Sequence, residues 1–190
     1  MRKSRAETAE TRQRIVEVAA HAFRAKGIQA TGLADVMADA GLSHGGFYRH
    51  FDSKDQLVAE ACATAVSGMI GSLEASSGGD NGVEGLKAVI DTYLSLEHRD
   101  GWASGCPLAG MGSELVRADE QTRNVASRGF DELVQVLEKR IEDRPGRAVQ
   151  SDAVFAVAAM IGAVTISRII TDPDASAAVL KAVRDHLQTI

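Results

Sequence analysis

The chain has 190 residues, of which 45% are hydrophobic and 4% aromatic, with three prolines and two cysteines. This length suits one compact unit or two small helical ones. No alternating β-branched runs stand between turn signals, which argues against a sheet. Two cysteines without a signal peptide give no basis for a structural disulfide. No apolar stretch reaches the ~18 residues of a membrane span, so we expect a cytoplasmic protein that binds no membrane.

The first predicted helix covers about residues 8–26 and ends at Gly27. Apolar side chains recur along it at helical spacing, which predicts one buried face. The residues of that face are Ile15, Val18, Ala19, Ala22 and Phe23.

Residues 31–51 predict two short helices joined by a tight turn. Apolar side chains at i, i+3, i+4 and i+7 mark the inner face of the first helix: Leu33, Val36, Met37 and Ala40. Gly41 follows, and glycine adopts the left-handed conformation of a helix C-terminus at little cost. Ser43 is a candidate N-cap of the second helix, which is expected to bury Phe47 and Phe51. This pattern is typical of a helix-turn-helix, which places its second helix in the major groove of DNA.

The polar residues of this segment suit DNA. His44 and Arg49 can donate to base edges or phosphates, and Tyr48 and His50 can donate to phosphates at the rim of the groove. Lys54 follows in the first turn of the next helix, where it can reach a phosphate beside free N–H groups. The predicted DNA-binding residues are Thr31, Gly32, Ser43, His44, Gly45, Gly46, Tyr48, Arg49, His50 and Lys54. The alternative is an ordinary helical hairpin with a polar face.

The charge of the chain is unevenly distributed. The formal net charge is −5, but residues 1–54 carry nine Lys/Arg and six Asp/Glu, a net of +3, and residues 55–190 carry twelve and twenty, a net of −8. DNA binding needs a local positive surface rather than a positive protein. The basic residues 1–5 form either a solvated terminus or an arm that touches DNA beside the main site.

The rest of the chain predicts six further helices, which gives an all-α fold with about nine helices. Ser53 and Gln56 fit a capping box at the start of the fourth helix, which is expected to connect the two parts of the protein. We assign residues 1–53 to a DNA-binding domain and residues 54–190 to an effector-binding and dimerisation domain. The six helices cover about residues 54–75, 83–99, 107–117, 120–143, 148–171 and 174–190, with a turn at 144–146.

The eighth predicted helix is apolar on nearly all sides, and such a helix must be buried on all sides. A second subunit can cover one of its faces, so we expect a homodimer formed through about residues 148–190. The alternative is a central core helix of a monomer.

The segment G-L-S-H-G-G-F-Y-R-H-F, followed by D-S-K-D-Q-L, resembles the DNA-binding signature of the TetR family of bacterial transcriptional regulators. The resemblance is specific over residues 11–57 and architectural beyond them. Gly32 stands where the family often has Thr or Ser, and Met37 stands where a small residue is usual. The resemblance implies a homodimer whose N-terminal three-helix domain binds DNA. It also implies a C-terminal helical domain that holds a small-molecule pocket, and release of DNA when the ligand binds.

We therefore expect a ligand-responsive regulator, acting as a repressor, that binds a palindromic double-stranded operator. A small-molecule or electrophile effector would release it. The alternative is a DNA-binding regulator without an effector. A helical enzyme is disfavoured because the sequence has no recognisable metal-ligand cluster, phosphate loop or nucleophile–base pair, and we expect no metal and no cofactor.

Residues 102–108 are the candidate control segment, with the only Trp and one of the two Cys. Cys106 precedes a predicted helix start, where the helix dipole lowers a thiol pKa. Some family members that resemble this segment sense electrophiles or oxidants through the cysteine; the alternative for Cys106 is a small buried hydrophobe. The apolar composition of the region suggests a hydrophobic or aromatic effector. The predicted effector pocket comprises Trp102, Cys106, Leu108, Met111, Leu115, Phe130 and Phe155.

Overall fold

The computed structural model describes residues 5–141 and 148–189. Within these ranges the chain forms nine α-helices and one 3₁₀ helix and no strand, so the prediction of an all-α fold is confirmed. The elements are α1 Arg5–Lys26, α2 Leu33–Asp39, the 3₁₀ helix His44–Arg49, α3 Lys54–Ser76, α4 Val83–Tyr93, α5 Leu96–Asp100, α6 Pro107–Leu115, α7 Glu120–Glu138, α8 Val149–Ile169 and α9 Pro173–Leu187.

Three predicted helices differ from the observed ones, and one of them, the seventh, ends at Glu138 rather than near residue 143. The predicted fifth helix is broken after Tyr93, and α5 starts anew with Ser95, whose hydroxyl accepts a hydrogen bond from the His98 N–H at 3.0 Å. The predicted third helix is a short 3₁₀ helix, consistent with the poor helix propensity of its two adjacent glycines. The basic residues 1–4 and the predicted turn at 144–146 lie outside the described residues.

The N-terminal part of the chain has its own hydrophobic core. It is formed by α1, α2, the 3₁₀ helix, the first half of α3 and two side chains of α6. The largest members of this core are Ile15, Phe23, Met37, Phe47, Phe51, Leu57, Met111 and Leu115. Because α6 contributes to this core, a helix from the second half of the sequence supports the helix-turn-helix.

A second core lies between the second half of α3 and helices α4, α7, α8 and α9. Helix α3 therefore spans both cores, with Leu57 in the first and Leu73 in the second. The capping box predicted at its start is present in part. The Ser53 hydroxyl accepts a hydrogen bond from the Gln56 N–H at 3.1 Å, as predicted, but the Gln56 side chain accepts from the Asp52 N–H at 2.7 Å. A rigid helix shared by two cores can carry a displacement from one to the other.

Helices α3 and α8 are each long and apolar enough to cross a membrane, judged by length and composition alone. This differs from the expectation that no apolar stretch of the chain is long enough to span a membrane. Helix α3 packs against both α1 and α7, which is the position of a core helix.

Helix α8 buries one side against α7 and α9 and leaves the other side open. From Val154 onward its exposed residues follow the helical repeat and form one apolar stripe: Val154, Phe155, Ala158, Gly162, Ile166 and Ile169. We call these residues the α8 face. The expectation that α8 is buried on all sides does not hold within one chain.

Candidate nucleic-acid interface and control region

The turn of the helix-turn-helix is made by Gly41, which has φ +73°. Its N–H donates to the Ala38 carbonyl at 2.9 Å, and the Leu42 N–H donates to the Met37 carbonyl at 2.8 Å. These two bonds form the Schellman arrangement of a helix C-terminus, which favours glycine at the left-handed position. The predicted turn at Gly41 is therefore present.

The 3₁₀ helix is held from beneath by two aromatic rings. Phe47 and Phe51 are 0% and 2% exposed, and their ring centroids lie 5.5 Å apart in a stacked arrangement. Their burial turns the neighbouring polar side chains outward. Tyr48 is 69% exposed, and His44 and Arg49 are also exposed.

The backbone around these side chains is accessible as well. Gly32, Ser43 and Gly45 are exposed, while Gly46 and His50 are half-buried. Ser43 is the residue before the 3₁₀ helix, and its hydroxyl makes no capping hydrogen bond there. Six of the ten predicted DNA-binding residues are thus exposed, and Gly46 and His50 keep part of their surface accessible.

The other two predicted residues, Thr31 and Lys54, are used inside the protein. Thr31 is 2% exposed, and its hydroxyl donates to the Gly27 carbonyl at 2.7 Å. The Lys54 ammonium donates to the carbonyls of Ile28 and Thr31, at 2.7 and 2.8 Å. Carbonyl groups beyond a helix C-terminus need such donors. We therefore correct the assignment of Thr31, which stabilises the loop between α1 and α2. Lys54 stabilises the same loop but is half-buried, and its contact with a phosphate stays a prediction.

Arg12 is a supporting residue that the sequence pattern did not indicate. Its Nε donates to the His50 carbonyl at 3.1 Å, and its terminal nitrogens pair with the Glu60 carboxylate. Its guanidinium also lies 4.4 Å from the Phe51 ring centroid. Arg12 thus ties α1 and α3 to the end of the 3₁₀ helix. The partners lie 38 and 48 residues away in sequence, and no local periodicity marks such a contact.

Helix α6 is attached directly to the loop that precedes α2. The Glu114 carboxylate accepts hydrogen bonds from the N–H groups of Ile28 and Gln29, at 2.9 and 2.8 Å. Nearby, Nη1 of Arg24 donates to the Gly105 carbonyl at 3.3 Å. These contacts join the segment around α6 to the N-terminal part by polar bonds as well as apolar packing.

Cys106 is a buried residue rather than an activated thiol. It is 1% exposed, and burial raises the pKa of its thiol, although it is the residue before α6. Desolvation outweighs the helix dipole and the adjacent Tyr93 hydroxyl, which act in the opposite direction. The expectation of a lowered pKa is wrong, and the structure agrees with the alternative of a small buried hydrophobe. Burial likewise raises the pKa of Cys62 to about 11.

The seven predicted pocket residues do not come together. Met111 and Leu115 belong to the N-terminal core, and Cys106 belongs to the second core. Phe155 is 54% exposed on the α8 face, and Phe130 of α7 packs at the edge of the second core. Two of the seven, Trp102 and Leu108, share a cavity of about 230 Å³ between α6 and α8. The predicted single pocket is therefore wrong.

A larger cavity of about 470 Å³ opens between α3, α4 and the segment around α5. Its walls combine apolar side chains with hydroxyl groups and one exposed carboxylate. The residues that set this character are Met69, Ser72, Leu73, Tyr93, Glu97 and His98. No predicted pocket residue is among them, because polar Ser and Glu residues on helices normally indicate a solvated face.

Comparisons with known proteins agree with this architecture. Residues 15–61 match the family described as bacterial regulatory proteins, tetR family. Residues 82–186 match the family described as transcriptional regulator LmrA/YxaF-like, C-terminal domain. An uncharacterized HTH-type transcriptional regulator of Mycobacterium tuberculosis is 30% identical over 174 residues, covering 85% of this chain and 86% of that protein.

Two further relatives extend the comparison. The HTH-type transcriptional regulator AcrR of Shigella flexneri is 30% identical over 152 residues, covering 74% of this chain and 69% of that protein. The crystal structure of a TetR transcriptional regulator from Chloroflexus aurantiacus superposes with a TM-score of 0.81 at 30% identity, covering 97% of this chain and 95% of that one. The chain belongs to the TetR family of transcriptional regulators and has a DNA-binding helix-turn-helix in its N-terminal part.

Proposed function

We propose that this protein is a cytoplasmic, ligand-responsive repressor that binds a palindromic operator as a homodimer. The observation that carries the proposal is the exposed set His44, Tyr48 and Arg49 on a 3₁₀ helix backed by two buried phenylalanines. A polar, cationic helix surface on a firm apolar support is what a major-groove reader requires. Residues 1–53 would form the DNA-binding domain and residues 54–190 the effector-binding and dimerisation domain.

The proposed contacts divide into two kinds. His44 and Arg49 would read base edges or meet phosphates, and Tyr48 would donate to a phosphate at the rim of the groove. The remaining proposed contacts, which position the helix through small side chains or backbone, are Gly32, Ser43, Gly45, Gly46 and His50. The net charge of +3 over residues 1–54 supports this side as the one that faces DNA.

The proposed dimer uses the α8 face together with α9. Phe155, Ile166 and Ile169 are 54%, 48% and 68% exposed in the single chain, a contiguous apolar stripe that water solvates poorly. Gly162 lies among them and has open space above it, which allows close approach of a partner helix. A two-fold axis here would present two copies of the 3₁₀ helix to half-sites about 34–36 Å apart.

The proposed effector site is the larger cavity between α3, α4 and α5. A ligand there would contact α3, which also belongs to the N-terminal core, so that a shift of α3 would move the helix-turn-helix. An electrophile effector acting on Cys106 has less support, because that thiol is buried with a raised pKa. The second candidate function is a DNA-binding regulator without an effector, and the presence of a cavity argues against it.

The experiment is selection of bound sequences from random DNA, followed by anisotropy titration of the selected sequence at several salt concentrations. Enrichment of a palindrome, with affinity falling steeply as salt rises, is the expected result. Sedimentation of the complex should give two chains per operator. The protein can be refolded from denaturant to remove any bound ligand. If the refolded protein still enriches no DNA sequence, the result contradicts the proposal.

A further inference from the structure

Arg168, near the end of α8, is a partly buried cation with an unused donor. Its Nε donates to the Arg99 carbonyl at 2.8 Å, and its Nη2 donates to the His98 carbonyl at 3.2 Å. Its Nη1 is buried and has no hydrogen-bond partner among residues 5–141 and 148–189. Among the described residues, the acidic group that acts on it is Asp100, which is already paired with Arg99 at 2.8 Å. A buried donor without an acceptor is costly.

The Arg168 side chain lines a cavity. A Cβ placed on Gly110 would lie 3.6 Å from Nη1, so this nitrogen points toward α6. The space between α6 and α8 has a volume of about 230 Å³, and we call it the Arg168 cavity. Burial also lowers the pKa of Arg168, and the Asp100 carboxylate, which is paired with Arg99, offsets this effect only in part. An anionic group in this cavity would supply the missing acceptor.

The other walls of the Arg168 cavity are mostly apolar. Trp102, Leu108, Ala109 and Ile169 line it, and the Trp102 ring centroid lies 4.8 Å from the Arg168 guanidinium carbon. The volume is roughly that of eight water molecules, which suits a molecule with one ring. Apolar walls favour an organic body over a hydrated inorganic ion.

We propose that the Arg168 cavity binds a small organic anion, with a carboxylate on Nη1 of Arg168 and a flat apolar body beside Trp102. A carboxylate would form a charge-assisted hydrogen bond there. This site is separate from the larger cavity proposed for the effector, whose lining in the described part of the chain includes Glu97 and no Lys or Arg.

The site also offers a route to the helix-turn-helix. Gly110 and Gly112 of α6 line the Arg168 cavity, and Glu114 two residues later holds the loop before α2. An anion that shifts α6 would therefore act on the DNA-binding part. This consequence depends on the proposed regulatory function, whereas binding of the anion does not.

Fluorescence of Trp102 provides the test, because it is the only tryptophan of the chain. The full chain, without DNA, is titrated with benzoate and with benzamide, which has a similar shape but no charge. We expect saturable quenching by benzoate and affinity for benzamide about tenfold weaker or more. Arg168→Gln should weaken benzoate binding by about tenfold or more, while Arg123→Gln, an exposed arginine of α7, should leave it unchanged.

A second variant covers the case in which Arg168→Gln disturbs folding. Gly112→Leu keeps Arg168 and fills the cavity from the α6 side, where a Cβ meets no atom within 4 Å. It should fold normally and lose benzoate binding. Equal affinities for benzoate and benzamide would overturn the proposal. Benzoate binding that is as tight in Arg168→Gln or Gly112→Leu as in the parent chain would also overturn it. The absence of saturation by benzoate up to about 10 mM would overturn it as well. Because DNA is absent from the titration, failure to select an operator leaves this result intact.

Discussion

Nε2 of His98 accepts a hydrogen bond from the backbone N–H of Cys106 at 2.8 Å. The other ring nitrogen, Nδ1, lies 2.5 Å from the Tyr93 carbonyl, so it must carry the proton and donate. These two contacts assign the neutral tautomer with the proton on Nδ1. The imidazole thereby joins the end of α4 to the start of α6, next to both cavities.

This arrangement predicts a pH-dependent stability. Burial lowers the pKa of His98 below its ordinary value of 6.5, so the unfolded chain takes up a proton at a higher pH than the folded chain. The contribution of His98 to stability is therefore present above about pH 6.5 and is lost as the pH falls through 6.5 toward the folded pKa. Urea unfolding between about pH 7.5 and 5.5 measures it.

Two variants isolate the contribution of His98. His98→Gln should flatten the decline in stability with falling pH, because its amide does not titrate in this range. His44→Gln, which changes an exposed histidine of the 3₁₀ helix, should keep the decline of the parent chain. An unaltered pH profile in His98→Gln would mean that another group causes the decline.

The contact between Glu114 and the loop before α2 predicts a loss of stability. Glu114→Ala leaves the N–H groups of Ile28 and Gln29 without their carboxylate acceptor. Water can reach part of this loop, so we expect a decrease of about 1–2 kcal/mol in the free energy of unfolding. Urea titration should show no comparable change for Glu132→Ala, an exposed glutamate of α7. Equal stability of the Glu114→Ala variant and the parent would remove this link between α6 and the helix-turn-helix.

Burial of both cysteines predicts that the folded chain resists thiol reagents. Burial raises the pKa of Cys106, and raises that of Cys62 to about 11, so neither thiol is ionised near neutral pH. With a chromogenic disulfide at about pH 8, native protein should react slowly, and protein in urea should release both thiols. Cys106→Ser should leave any effect of electrophiles on operator binding unchanged. An effect present in the parent and lost in this variant would establish Cys106 as a sensor.

Local signals made the helix-turn-helix predictable. Gly41, the apolar spacing of α2 and the pair Phe47 and Phe51 each act over a few residues, and each has its expected place. The prediction that Thr31 contacts DNA was wrong, because the sequence does not show the direction of its hydroxyl. In the structure its hydroxyl bonds back to the preceding loop.

The control region was less predictable because its contacts are long-range. Glu114 and Ile28 lie 86 residues apart, and Arg168 and Arg99 lie 69 apart. Apolar side chains such as that of Met111 are typical of pocket walls. Helical spacing, however, does not indicate in which of the two cores a side chain packs. Met111 packs with the N-terminal core.

The exposed arginine of the 3₁₀ helix predicts a defined change in DNA binding. Arg49→Gln should weaken operator binding, and if Arg49 meets a phosphate, the slope of log affinity against log salt should fall by about 0.9. Tyr48→Phe should weaken binding without changing this slope, because it removes a neutral donor. Both side chains are exposed, so the unfolding transition should not move. Anisotropy titration with the selected operator measures both effects, and unchanged affinity would remove either residue from the contact surface.

The α8 face predicts a variant that separates dimerisation from folding. Ile166 is 48% exposed in the single chain and lies eleven residues, about three helical turns, after Phe155 on the same stripe. Burying such a side chain contributes about 1.5–3 kcal/mol, and a two-fold interface buries two copies. Ile166→Arg should therefore raise the dimer dissociation constant by about a hundredfold or more. Val83→Arg, which alters an exposed apolar residue at the start of α4, is the matched control and should stay dimeric.

Sedimentation velocity over a range of concentrations measures the two states, and circular dichroism checks that the helices persist. The monomeric variant should also lose affinity for a full palindrome far more than for a half-site, because one 3₁₀ helix reads only half of the operator. If Ile166→Arg sediments as a dimer like the parent, the α8 face is not the interface. Its exposed apolar side chains would then require a different partner surface, because water solvates a stripe of this kind poorly.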